Sequence, residues 1–361
     1  IDAIRAFAIL MMLQGHFIDS LLAIEYRDTS NTIYNIWNYF RGITAPVFFT
    51  VSGLIFTYLI LKAKEKNNTS QRLKKGFQRG LMLIFVGYTL RTAFFRSMDG
   101  VIKKGFLAVD ILQTIGMSLI FVVFVYMIFQ KKPLLFSFVM FCLGTVIFMF
   151  EPSYTTFTAE GLPFYIANYL TKSGGSSFTI FPWFGFMAFG AFIASIFYKF
   201  QGNPKFKSIL ICSFIFIGYI FISYSSQFFN HLYELTDIDL FSKIYKNNYL
   251  FLRLGNVFVI FGIFYFFEKY LTHRLIASIG QKTLIIFIIH CIILYGSYTA
   301  NGLKKIIGKN LDPLEAIVGA LCFLVIVTAI SIYVSKANTN IYKYIIDKLR
   351  FLKTLIKSSN N

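Results

Sequence analysis

Charge is scarce in this 361-residue chain: only 14% of its residues are Asp, Glu, Lys or Arg, where a globular chain averages about a quarter. That shortage excludes an ordinary soluble domain. Acids are scarcer still, 16 against 35 Lys and Arg, for a formal net charge of +19. Such an excess suits a nucleic-acid binder only when it forms one face of a folded soluble domain. Here Lys and Arg fall mostly in short loops between apolar runs, so no nucleic-acid partner is predicted. Cysteine is limited to Cys142, Cys212, Cys291 and Cys322, all within apolar runs and none in a CxxC pair. That pattern predicts neither a disulfide framework nor a metal site. Histidines number four, and no carboxylate or third nitrogen stands at ligand spacing beside His16 or His290, which also speaks against a metal. The first apolar run lacks a charged n-region followed by a small-residue cleavage site, so a cleavable signal peptide is not expected. No internal repeat suggests duplicated transporter halves.

What is abundant is apolar surface: 57% of the residues are hydrophobic and 19% aromatic, with 45 Phe. The chain reads as an all-α polytopic membrane protein. A spanning helix needs about 20 mainly apolar residues, and on that ruler about ten spans fall near 3–24, 43–62, 80–97, 109–130, 134–151, 180–199, 208–227, 249–268, 275–297 and 313–335. Residues 1–335 form one transmembrane domain. Residues 336–361 form a basic tail in which "KYIIDKLRFLKTLIK" has the spacing of an interfacial amphipathic helix. The segment "KAKEKNNTSQRLKKGFQR" sets seven basic residues against Glu65 and is assigned to the cytoplasm by the positive-inside rule. Counting outward puts both termini in the cytoplasm. The opposite loops are longer, and two of them, around 151–177 and 226–248, are long enough to fold over the external surface.

The first span, "IRAFAILMMLQGHFIDS", carries ionisable groups that hydrocarbon does not tolerate without a reason. Arg5 and His16 are eleven residues apart. Eleven steps of about 100° return to within about 20° of one helix face, roughly 16 Å apart along the axis. Arg5 alone reads equally well as a lipid anchor paired with Asp2. His16 lies too deep for that, and Asp19 is placed to orient its imidazole or to cap the helix end. His290, in "IGQKTLIIFIIHCIILYGS", reaches a similar depth on the ninth span. Two histidines at one depth on distant spans predict a shared cavity and general-base chemistry, against the plainer reading of a satisfied core histidine.

Other polar points are weaker. Ser52 and Gly53 in "PVFFTVSGLI" suggest close helix packing. Asp110 and Gln113 open the fourth span, Arg91 lies in the third and Arg253 near the outer end of the eighth. Trp183, after a Gly-Ser loop, reads as an interfacial anchor or, less simply, as a platform for a sugar ring.

The Arg-to-His spacing of the first span, followed by "FFTVSG" and a basic loop, resembles the transmembrane acyltransferase superfamily. "DILQTIGMSL", "SSFTIFPWFGFMAFG", "RLGNVFVI" and "IGQKTLIIFIIH" resemble more specifically bacterial relatives of heparan-alpha-glucosaminide N-acetyltransferase. Arg5 is followed by Ala6 where such proteins usually have glycine, and no histidine lies between His16 and His231. The resemblance implies a multi-pass enzyme of the bacterial inner membrane that moves an acetyl group from cytoplasmic acetyl-CoA to an amine or hydroxyl of an extracytoplasmic sugar or glycan. It implies Arg5 and His16 as the functional pair; with the residue reading added, His16 is the expected general base, Arg5 positions the coenzyme, and Asp19 or His290 assists. Acetyl-CoA would meet Arg5, Ser52, Arg72, Lys75 and Gln113, and the acceptor would meet Arg41, Trp183 and Arg253. The lipid bilayer is a further partner, and a homodimer is left open. The competing expectation is a proton-coupled secondary transporter using Arg5, His16, Asp19, Arg91 and His290 as a relay.

Overall fold

The computed structural model describes residues 1–91 and 104–358, with side chains through 1–91 and 106–336. In chain order the helices are α1 (Asp2–Leu21), α2 (Thr32–Arg41), α3 (Thr44–Glu65), α4 (Thr69–Thr89), α5 (Ile111–Phe129), α6 (Pro133–Met149), α7 (Glu151–Tyr154), α8 (Phe164–Leu170), α9 (Ile180–Phe200), α10 (Phe206–Thr236), α11 (Asp239–Lys246), α12 (Tyr249–Phe266), α13 (Arg274–Gln281), α14 (Thr283–His290), α15 (Leu303–Ile306) and α16 (Pro313–Ser358). A π-helical turn, Cys291–Tyr295, continues α14. No strand occurs among the described residues, and the protein is an all-α polytopic membrane protein.

Every expected span falls on a helix. Among the described residues seven helical stretches are long and apolar enough to cross a membrane, and an eighth is the pair α13 and α14 with its π turn, bent by 66°. The remaining two fall short for different reasons. Helix α6 has only 17 residues, and the first half of α4 carries Arg72, Lys74, Lys75 and Arg79. The basic segment expected as a loop is therefore mostly helix, since Lys, Arg and Gln are good helix formers. Gly76, Gly80, Leu83 and Gly87 give α4 a buried face at helical spacing. The end of the third expected span and most of the loop after it lie outside the described residues.

Local chemistry sets several boundaries. Asp110 and Gln113 form a capping box at the start of α5, each satisfying a backbone N–H that the helix leaves open. Asp312 and Glu315 do the same for α16: the Asp312 N–H donates to Glu315 (3.0 Å) and the Glu315 N–H to Asp312 (2.8 Å), with Pro313 at the first helical position. The two long loops hold α7 and α8, and α11. Helix α10 runs past its expected end to Thr236. The α16 backbone continues without a break into the expected tail.

The core is built on α3, which packs along α9, with α6 behind α9, α4 on α5 and α10 on α12. Gly53 and Gly190 make the α3–α9 contact so close that a Cβ on either would strike the other helix's backbone carbonyl, Met187 or Thr50. Helix α1 is held at both ends by the C-terminal third of the chain. At one end the Gln281 amide donates to Asp2 (3.0 Å); at the other, Leu22 and Leu311 form a parallel bridge, with Leu311 N–H donating to the Leu21 carbonyl and Ala23 N–H to the Leu311 carbonyl, both 3.0 Å. This double clamp fixes the register of α1 against α14, on which the site depends.

Candidate active site

Arg5 and His16 occupy two levels of α1, and each meets the C-terminal third of the chain. The Arg5 guanidinium donates to the Thr283 hydroxyl (3.0 Å) and to Asp2 (3.3 Å). Some three turns further along, the His16 ring stacks on His290, with centroids 5.4 Å apart and planes at 26°. His290 is 1% exposed. Its Nδ1 lies 2.5 Å from the Phe287 carbonyl oxygen; a carbonyl can only accept, so Nδ1–H donates and Nε2 carries the lone pair of the neutral ring, with the Cys291 Sγ 3.8 Å from it. His16 Nδ1 is bonded to the Tyr295 hydroxyl at 2.8 Å. The tyrosine ring stands edge-on to both imidazoles.

Tyr295 was not among the sequence candidates, and the backbone explains why. Five residues of α-helix turn about 500°, which would leave Tyr295 on a different face from His290. The π turn widens the helix so that the fifth residue returns over the first. Gly296, at φ +70, ends the turn, and a Cβ there would meet the backbone of Asn301 and Gly302. The signal available in sequence was "HCIILYG": a tyrosine and a chain-reversing glycine just after an intramembrane histidine.

Four neighbouring cavities run along this wall. The first, about 360 Å³, is basic, with Arg72, Lys75 and Arg79 on its sides. Arg79 also borders the second, a narrow space of about 80 Å³ that includes Arg5, Ser52 and Thr283. Ile111, Leu112 and Phe287 are shared between this space and a third of about 460 Å³, where His16, His290, Tyr295, Asp110, Gln113 and Lys304 converge. A fourth, about 220 Å³, has His16, Arg41 and Phe178 in its wall. Small polar and cationic groups thus line one end, an apolar partition follows, and the histidine pair stands beyond it.

The sequence candidates divide accordingly. His16 and His290 come together, and Arg5, Ser52, Arg72, Lys75 and Gln113 all border the cavity series. Gln113 Nε2 is buried with no hydrogen-bond partner among the described residues, while its oxygen accepts the Asp110 N–H (3.2 Å). Asp19 does not bond to His16: its carboxylate pairs with Arg41 (2.7 Å) and Arg27 (3.5 Å). Arg41 reaches the fourth cavity while making that pair. Trp183 is one layer back, stacked on Phe49 (5.3 Å) and tilted against Phe178 (4.8 Å). Arg253 lies outside the four cavities, donating to the Tyr39 carbonyl (2.8 Å) and covering the Tyr39 ring. Besides Tyr295, sequence reasoning missed Thr283, Arg79 and Lys304; Lys304 Nζ sits 5.6 Å above the Tyr295 ring. Arg91, bonded to Asp110 at 2.8 Å, shares the third cavity. Cys142, Cys212, Cys291 and Cys322 are all free thiols. No group of three or more His, Cys, Asp or Glu that could hold a metal ion occurs among the described residues.

Residues 1–232 match the family described as heparan-alpha-glucosaminide N-acetyltransferase, catalytic. The chain belongs to this family. It is thereby a membrane acetyltransferase by family, and the matched segment carries Arg5, His16, the basic cavity and Gln113. His290 and Tyr295 lie beyond the match, so the second half of the histidine site is supplied by a part of the chain that the match does not reach. No curated protein matches the chain.

Proposed function

We propose that this acetyltransferase moves an acetyl group from acetyl-CoA, bound from the cytoplasm, to an amine or hydroxyl of a sugar or glycan on the other side of the membrane. The observation that carries the reading is the stacked His16–His290 pair at the end of a cavity series whose opposite end is basic. Loop charge puts that basic end, and both chain termini, in the cytoplasm. Arg72, Lys75 and Arg79 suit the phosphates of coenzyme A, since guanidinium and ammonium groups make charge-assisted hydrogen bonds to phosphate oxygens. Arg5, Ser52 and Thr283 border a space fit for a thin arm rather than a nucleotide. The thioester would then lie beside the imidazoles, and the 460 Å³ cavity has the size of a ligand pocket.

The histidine pair supplies general acid–base chemistry, His16 being the base expected from sequence. The acceptor attacks the thioester carbonyl, an imidazole takes its proton, and the leaving thiolate takes one back. Asp110, Gln113 and Lys304 offer the polar contacts that a sugar needs. Membranes containing the protein should transfer label from acetyl-CoA to a glucosamine-type acceptor, and the double variant His16→Ala/His290→Ala should abolish transfer. Full transfer by the double variant would sink the assignment. Substrate uptake into vesicles with no acetyl-CoA binding would favour the transporter reading instead.

A further inference from the structure

The two imidazoles are not equivalent, and the hydrogen bonds around them divide the work. We infer that Tyr295 is a positioning residue that holds His16 as the Nε2–H tautomer, so that His290 is the general base and His16 a fixed hydrogen-bond donor to the reacting carbonyl oxygen. The inference deepens the acetyl-transfer reading above and rests on it.

The His290 half follows from its contact with the Phe287 carbonyl. Because the carbonyl must accept, the neutral ring carries its basic lone pair on Nε2, beside the Cys291 thiol at 3.8 Å, a weak donor that the acceptor's proton displaces, with Nδ1–H fixing the ring's orientation. The His16 half follows from the Tyr295 phenol. The hydroxyl is bonded to His16 Nδ1 at 2.8 Å and also to Ser20; a phenol is a stronger acid than a neutral imidazole N–H, so it donates to Nδ1 while its oxygen accepts from the Ser20 hydroxyl. With Nδ1 accepting, neutral His16 carries its proton on Nε2 and can donate but not accept there. One ring is thus set to take a proton and the other to give a hydrogen bond, which is the complement that acyl transfer requires.

The step balances on these two groups. The acceptor's nitrogen or oxygen bonds to the thioester carbonyl carbon while its proton passes to His290 Nε2. The carbonyl oxygen gains negative charge and is held by His16 Nε2–H. On collapse the C–S bond breaks, and the departing sulfur takes the proton from the His290 imidazolium. The products are acetylated acceptor and coenzyme A thiol, with both rings returned to their starting tautomers.

Glutamine separates the roles, because its amide donates a hydrogen bond but is no base. His16→Ala should lower kcat by about 10²–10³-fold, the usual loss of one oxyanion donor, and His16→Gln should recover most of it. His290→Ala and His290→Gln should both lose about 10²–10⁴-fold, the usual contribution of a general base. Tyr295→Phe keeps the ring edge-on to both imidazoles and should lower kcat with the KM for acetyl-CoA unchanged. NMR of histidine labelled with the heavy nitrogen isotope, in nanodiscs, reads the tautomers directly, and the four histidines are assignable by single substitution. The expected spectrum has His16 protonated on Nε2, His290 on Nδ1, and a mixture at His16 in Tyr295→Phe. His16 protonated on Nδ1, or His16→Gln as inactive as His16→Ala while His290→Gln stays active, would overturn the inference. If the wild type transfers no acetyl group, the acetyl-transfer reading fails, and the NMR spectrum still decides the tautomers.

Discussion

Arg5 donates to Thr283 across 278 positions of sequence, and that contact joins the cationic end of the site to the start of α14. Thr283→Val removes the acceptor but keeps the shape. A hydrogen bond to a charged group is worth about 1.5–3 kcal/mol, less here because the guanidinium is partly exposed. The expected result is a rise of up to about tenfold in the KM for acetyl-CoA with kcat unchanged, read in steady-state assays. Asp19 predicts the opposite split. Its carboxylate serves Arg41 and Arg27, so Asp19→Asn should loosen the join between α1 and α2, lowering Tm slightly, and leave the His16 tautomer as it was. Glu151, beyond the end of α6, is buried, and burial raises its carboxyl above the ordinary value of 4.5, with Lys172 opposing. The raised value means that the folded state holds the proton more tightly. The corresponding stability is present below 4.5 and is lost as pH rises through the raised value. Glu151→Gln should therefore raise Tm at neutral pH, with the difference from wild type closing in acid.

At the scale of elements, two features decide the site. The close approach of α3 and α9 leaves no room for a side chain at Gly190, so Gly190→Leu must push the helices apart. Overpacking costs about 1–3 kcal/mol or more, and a lower Tm with loss of monodispersity in detergent would report it. The π turn is the second feature. An alanine inserted after Ile293 would carry Tyr295 about 100° further round relative to His290 and break its bond to His16. Activity should fall as in Tyr295→Phe while α1 through α13 keep their fold, as circular dichroism and thermal melting would show. Neither feature stands out in a hydropathy profile. "TVSG" suggested close packing on α3 without naming α9 as the partner, whereas the π turn is a local irregularity that helical periodicity hides.

For the whole molecule, the consequence is sidedness. In the orientation proposed from loop charge, the basic cavity and both termini lie on the cytoplasmic face, with the two long loops outside. In a background lacking the four cysteines, Gln71→Cys should react with an impermeant thiol reagent only after the membrane is opened, and Glu160→Cys should react in intact cells. The reverse pattern would place the donor cavity outside and remove the route for acetyl-CoA.

Composition and helical period by themselves determined the membrane class, the helices on which the expected spans fall though not how many of them are long and apolar enough to cross, and the shared face of Arg5 and His16. These are properties of neighbouring residues and of the solvent that each stretch prefers. Arg72, Lys75, Ser52 and Gln113 stand out locally as polar groups at span ends or on apolar helices, and only their place along the cavities is seen in the structure. Only the tertiary structure decided that His16 stacks on His290, that Tyr295 joins them, that Asp19 turns to arginines and that Arg253 braces Tyr39. Each of those depends on which face of one helix meets a segment far away in sequence, a choice made by packing and by a single widened turn.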